Sequence, residues 1–238
     1  MPASLAVRRG LLYDPVVASS HLTDADPALG RLIGRVGEYG LELRHSRSLF
    51  ASLARAIVYQ QLSGAAASTI LGRVLALFAP RRFPAPADIL GIAPERLRAA
   101  GLSAAKTAAL RDLAARTLDG TVPSMARVSR MDDEAIVAQL TQVRGIGRWT
   151  VEMHLMFGLG RPDVLPLGDL GIRKGYAVTF GSRGLPEPAV IAPARRALAA
   201  VSERGQLVSV AGARAGLAPG GSDERDAHRP HAREPRRA

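Results

Sequence analysis

Cysteine is absent from the 238 residues, which excludes disulfides, iron–sulfur clusters and thiolate zinc sites. Aromatic side chains are scarce at 4%, with a single tryptophan, Trp149. Lysine is scarcer still: of 32 basic residues only Lys106 and Lys174 are lysines. The five histidines do not cluster usefully, so no metal site is expected; no cofactor is expected either. No apolar run approaches the ~20 residues of a membrane span. The opening residues, MPASLAVRRGLLYDP, lack the apolar core and small-residue cleavage site of a signal peptide. The expectation is a soluble cytoplasmic protein with no membrane attachment.

What the chain does have is an ordinary apolar share, 47%, and a formal charge of +11. The length suffices for one large domain or two small ones with a proper core. The positive charge suits a polyanionic partner. An arginine excess alongside abundant Ala, Gly and Pro is also what a GC-rich genome produces, so charge alone does not choose.

Helical periodicity dominates. Residues 1–30 show little of it and are expected to be an irregular lead-in, followed by a helix over about Leu32–Leu43. Ser48 is placed to cap the next helix, with Phe50, Leu53, Ile57 and Val58 on one face, ending at Tyr59-Gln60-Gln61-Leu62-Ser63-Gly64. Helical spacing resumes over Ala65–Phe78. Three prolines make 79–87 a loop, short helices follow near Ala87–Leu90 and Pro94–Ala100, and Ser103 starts a helix over Ala104–Leu118. Ser129-Arg130-Met131-Asp132 fits a capping-box start for a helix carrying Ile136, Val137 and Leu140 inward. Nothing before residue 180 alternates as a strand would, so the expected class is all-α.

The stretch Leu140–Gly175 concentrates the chemistry. A helix breaks at Val143-Arg144-Gly145-Ile146-Gly147, and a second covers Arg148–Phe157. Glycines let the backbone turn tightly and present N–H groups at the second helix's N-terminus, where an anion such as a DNA phosphate is favoured. A plain αα-hairpin would use Gly-x-Gly only to turn; Arg144 and Arg148 on either side favour DNA. Downstream, Asp169 sits in Pro166-Leu167-Gly168-Asp169-Leu170-Gly171-Ile172, where alone it would read as a helix N-cap.

Four segments in order, AIVYQQLSGAAA (56–67), GLSAAKTAAL (101–110), VRGIGRWTVEM (143–153) and DVLPLGDLGIRKG (163–175), resemble the helix–hairpin–helix/Gly-Pro-Asp superfamily of base-excision DNA glycosylases. The 3-methyladenine glycosylase II branch is the nearest likeness, over roughly Leu32–Phe180. The resemblance implies two helical subdomains flanking a cleft. Residues 1–50 and 165–192 would form one discontinuous subdomain, and 51–164 the other, with the helix–hairpin–helix at 132–157. Too few residues precede the first motif for the extra β domain of some relatives, so the compact form is expected. Asp169 matches the catalytic aspartate, whose ionised carboxylate would stabilise positive charge on the sugar and orient the attacking water. Trp149 matches a pocket aromatic able to stack on a cationic alkylated base; a core tryptophan is the bland alternative. In bifunctional relatives a lysine stands at that position and forms a Schiff base, so lyase chemistry is not expected here. Gln60 and Gln61 match a loop inserted into the duplex where the flipped base was, or else form a solvated helix end. Gly145 and Gly147 would grip phosphate through their backbone, with Arg144 and Arg148 beside them. The implied partner is damaged double-stranded DNA, bound by a monomer. Family hairpins often hold a monovalent cation on main-chain carbonyls, and no side chain signals one. The competing functions are a non-catalytic hairpin DNA-binding module and an inactive remnant of the enzyme.

The likeness stops at about Ala192. Residues 193–238 hold no aromatic and are rich in Arg, Ala, Gly and Pro, so a disordered tail is expected. With permitted codons for 194–212, a one-nucleotide shift can read HAERWRPSRSVASWYLWR, similar to the family's C-terminal helix. The tail is therefore read as out of frame, with loss of helices that would close the first subdomain and supply pocket aromatics.

Overall fold

The computed structural model describes residues 11–193 except 45, 47 and 163, and among these residues all regular structure is α-helical. The tail discussed above lies, from residue 194 on, outside the described residues.

The lead-in expected to be irregular contains two helices, α1 (Pro15–Ala25) and α2 (Pro27–Val36). Each starts at an Asp-Pro pair: Asp14 and Asp26 accept backbone N–H bonds as N-caps, and the prolines occupy the first helical position, where their fixed φ fits and no N–H is needed. The helix expected over 32–43 is instead the end of α2. Gly37, at φ 83, terminates it, and the described residues from there to Ser48 form no helix. Leu41 from this segment plugs a small core of Leu11, Tyr13, Ala18, Leu22 and Leu29.

The central helices follow the periodicity. Ser48 caps α3 (Leu49–Tyr59), Ser63 caps α4 (Gly64–Ala76), and prolines open α5 (Pro86–Gly91) and α6 (Pro94–Ala99). Ser103 caps α7 (Ala104–Leu118), the longest helix described, and a single turn α8 (Met125–Val128) follows. In α9 (Asp133–Leu140) the cap is Asp132, bonded to Glu134 N and Ala135 N. Ser129 instead ends α8, its hydroxyl donating to Ala126 O, so the capping box expected from Ser129 does not form. α10 (Arg148–Phe157) completes the main core, in which Ile57, Leu97, Leu113, Ile136, Leu140 and Leu155 are fully buried. Burying each such side chain contributes on the order of 2 kcal/mol.

α11 (Leu170–Phe180) leaves this body and packs against α2. Its one buried residue, Ile172, joins Leu165 and Ile191 in a third cluster. Contacts around Phe157 and the loop after α10 fix the bodies to each other. Phe157 packs against both the main core and the Leu41 core, and its carbonyl accepts from Arg44 N at 2.7 Å. The adjacent Val164 and Leu165 are buried in different clusters, so the loop between α10 and α11 is pinned at both sides.

Candidate functional site

The hairpin is built by packing first. Val143 and Ile146 are buried, which forces the intervening Arg144-Gly145 to the outside. Gly145 turns the chain at φ 77, and a Cβ there would meet the Ala109 methyl of α7 at 3.3 Å. Arg144 N donates to Asp112 Oδ2 at 2.7 Å, leaving its side chain exposed. Gly147 is the N-cap of α10 and offers no side-chain acceptor, so it gives the N–H groups of Arg148 and Trp149 no side-chain cap. Such an end favours an anion.

Arg148, expected beside that anion, is held elsewhere. Its guanidinium makes a two-pronged pair with Glu134, at 3.0 and 2.5 Å, and lies 3.5 Å from Glu152. A phosphate would compete with both carboxylates for it, whereas Arg144 keeps its guanidinium exposed.

The Gln60-Gln61 turn stands beside the hairpin, but its two glutamines face different tasks. Gln60 Nε2 donates to Gly145 O at 2.9 Å, binding the turn to the hairpin. Gln61 is exposed at φ 57, and Leu62 after it is 39% exposed. The projecting part of the turn is therefore Gln61-Leu62, and an apolar side chain at a loop tip can stack where a base has left. Sequence reasoning named the glutamines and missed Leu62. It also missed Lys106, whose ammonium donates to Val58 O and Gln60 O, each at 2.7 Å. Burial pushes that ammonium below its ordinary value. The available signal was rarity, a lysine where the chain otherwise uses arginine.

Trp149 is the second residue of α10, 49% exposed, and so is not a core tryptophan. Its Nε1–H donates to Asp169 Oδ2 at 2.9 Å. The other oxygen of Asp169 accepts from Ile172 N, also at 2.9 Å, and Asp169 is the N-cap of α11. The capping and the catalytic readings of Asp169 are thus compatible: one oxygen holds the helix, the other faces the indole. A turn in which Asp169 N donates to Pro166 O brings the carboxylate round to that position. The site so formed presents an oriented acidic group, an exposed indole and, at the start of the same helix, uncapped N–H groups. An ionised carboxylate there can stabilise an oxocarbenium-like sugar, and the ring can lie against a flat cationic base.

Further along α10, His154 is buried. Its Nδ1 lies 3.0 Å from Ser52 Oγ, and its Nε2 has no hydrogen-bond partner among the described residues. Burial pushes the imidazole down from 6.5 to about 4, so it is neutral at physiological pH.

Residues 54–198 match the HhH-GPD superfamily of base excision DNA repair proteins. DNA-3-methyladenine glycosylase 1 of Schizosaccharomyces pombe is 40% identical over 164 residues, which is 67% of this chain and 70% of that protein. Among solved structures, a 3-methyladenine DNA glycosylase of the same yeast in complex with abasic DNA superposes with a TM-score of 0.66 at 35% identity, over 74% of this chain and 86% of that one. A DNA-3-methyladenine glycosidase from Bacillus halodurans gives 0.65 at 30%, over 80% and 82%.

Proposed function

This chain belongs to the HhH-GPD superfamily of base excision DNA repair proteins, and from that premise we propose that it is a monofunctional DNA glycosylase. It hydrolyses the N-glycosidic bond of alkylated bases of the 3-methyladenine type in duplex DNA, releasing the free base and leaving an abasic site. The observation that carries the proposal is the Trp149–Asp169 hydrogen bond, which joins an exposed flat ring and an acidic group at the mouth of the hairpin.

In this reading the damaged base leaves the stack, at a cost of a few kcal/mol. It enters against Trp149, where its positive charge is attracted by the ring face. Asp169 stabilises charge as the bond to the sugar breaks, and it takes a proton from the incoming water. Gly145, Gly147 and the exposed Arg144 grip the phosphate backbone, with Arg148 joining when it exchanges a glutamate for phosphate. Gln61 and Leu62 enter the gap, and Gln60 holds that turn to the hairpin. No Schiff base forms at residue 149, because an indole stands there. The chain's only other lysine besides Lys106 is Lys174, out on α11. The protein works as a monomer in the cytoplasm on the nucleoid, and no helix among its described residues is long and apolar enough to cross a membrane.

Release of free base from methylated duplex DNA tests this directly. Wild type releases base without cutting the strand at the resulting site. Strand cleavage coupled to release would overturn the monofunctional assignment. Binding without release, in wild type and Asp169→Asn alike, would favour the non-catalytic module.

A further inference from the structure

We propose that Lys106 is a positioning residue for duplex opening: it fixes the 60–62 turn against the hairpin so that both engage DNA as one unit. The inference rests on the glycosylase reading above. α3 ends at Tyr59, where its last carbonyls lack helical partners. The chain then leaves helical geometry, with Gln60 at ψ 131 and Gln61 in the left-handed region at φ 57, unfavourable for a residue with a Cβ. Such a turn needs an outside restraint. Lys106 Nζ supplies it by donating to Val58 O and Gln60 O, both at 2.7 Å. A compact ammonium with three rotatable donors suits two converging carbonyls better than the fixed fork of a guanidinium. In a chain that uses arginine for nearly every other basic position, a lysine here matches that demand.

The restraint continues to the hairpin. Gln60, held through its carbonyl, donates through Nε2 to Gly145 O. The same helix that carries Lys106 also touches the hairpin twice more. Ala109 lies where a Cβ on Gly145 would come to 3.3 Å, and Asp112 Oδ2 accepts from Arg144 N. Lys106, Ala109 and Asp112 follow at three-residue steps, spanning about 9 Å along one side of α7. One helix therefore sets both DNA-facing turns, a cation holding the first and an anion the second. Without the cation, the Gln61-Leu62 tip can shift relative to the phosphate grip while both bodies stay folded.

The test compares Lys106→Met and Lys106→Arg on a methylated duplex and on the same strand alone, which has no stack to hold open. Lys106→Met lowers kcat/KM on the duplex by about 10-fold or more and on the single strand by less than about 3-fold, and Lys106→Arg restores part of the duplex rate. Gln60→Ala, which removes only the side-chain link, shows the same duplex-selective loss and serves should Lys106→Met fail to fold. Equal losses on both substrates, or an unchanged duplex rate in both variants, would overturn the proposal. A readout without chemistry separates it from the glycosylase reading. On a duplex with 2-aminopurine beside an abasic site, saturating wild type raises fluorescence and Lys106→Met raises it less. Equal rises would count against Lys106 even if wild type released no base.

Discussion

At residue 169 the two carboxylate oxygens are divided between Ile172 N and the Trp149 indole, so both hydrogen bonds orient the group. This predicts separable effects at Trp149. Replacement by Phe keeps a ring for the base and removes the N–H that orients the carboxylate. A hydrogen bond to a charged group contributes about 1.5–3 kcal/mol, so kcat should fall by roughly 10-fold or more with a smaller change in KM. Single-turnover kinetics on methylated duplex reads the split; a loss confined to KM would show that the indole N–H does not act through Asp169. A second residue-scale expectation concerns His154. Its folded-state value of about 4 lies below the ordinary 6.5, so stability is complete above pH 6.5 and falls as pH drops toward 4, by on the order of 3 kcal/mol. Denaturant midpoints from pH 7 to pH 4 should fall, and His154→Gln should flatten that dependence; an unchanged slope would place the acid sensitivity elsewhere.

Among the elements, the hairpin depends on one backbone angle. Gly145→Ala must hold φ 77 with a Cβ and press on Ala109, a strain of about 1–2 kcal/mol. Affinity for abasic duplex, read by fluorescence anisotropy, should drop about 10-fold with the helical circular dichroism intact; unchanged affinity would remove Gly145 from the phosphate grip. How much of the elements was legible follows from where their signals lie. α7 and α10 were readable to the residue because Ser103 caps one and a Gly-x-Gly break precedes the other. α1 was missed because its start is marked only by an Asp-Pro pair and its apolar pattern is weak; α2 is clearly amphipathic but was placed too late, its start at Asp26-Pro27 having gone unread. The start of α9 went wrong because Ser129 and Asp132 are both good caps, and packing of α8 decides between them. At the site, Asp169, Trp149 and the glycines were legible from motif and chemistry. Their contact across 20 residues, the pairing of Arg148 with Glu134 and the Lys106 clamp were not, since each depends on how distant elements pack.

For the molecule as a whole, the second helical body is thinly covered. α11 buries only Ile172 among its residues, and Leu170 and Val178 stand 53% and 71% exposed. A helix with aromatic side chains to pack there is what the shifted-frame text after Pro193 would supply. Replacing residues 194–238 by that text should raise Tm by about 5 °C or more, which for a chain of this size corresponds to a gain of a few kcal/mol. An unchanged Tm, or a gene whose shifted frame encodes something else, would end the out-of-frame reading.

The catalytic expectations depend on Asp169 acting on the sugar. The decisive measurement is the rate of free-base release from methylated duplex DNA by the full chain and by Asp169→Asn, at enzyme concentrations that saturate the DNA. The account predicts release by wild type and a fall of about 100-fold or more in the variant with duplex binding retained. Release at the wild-type rate by Asp169→Asn would contradict it.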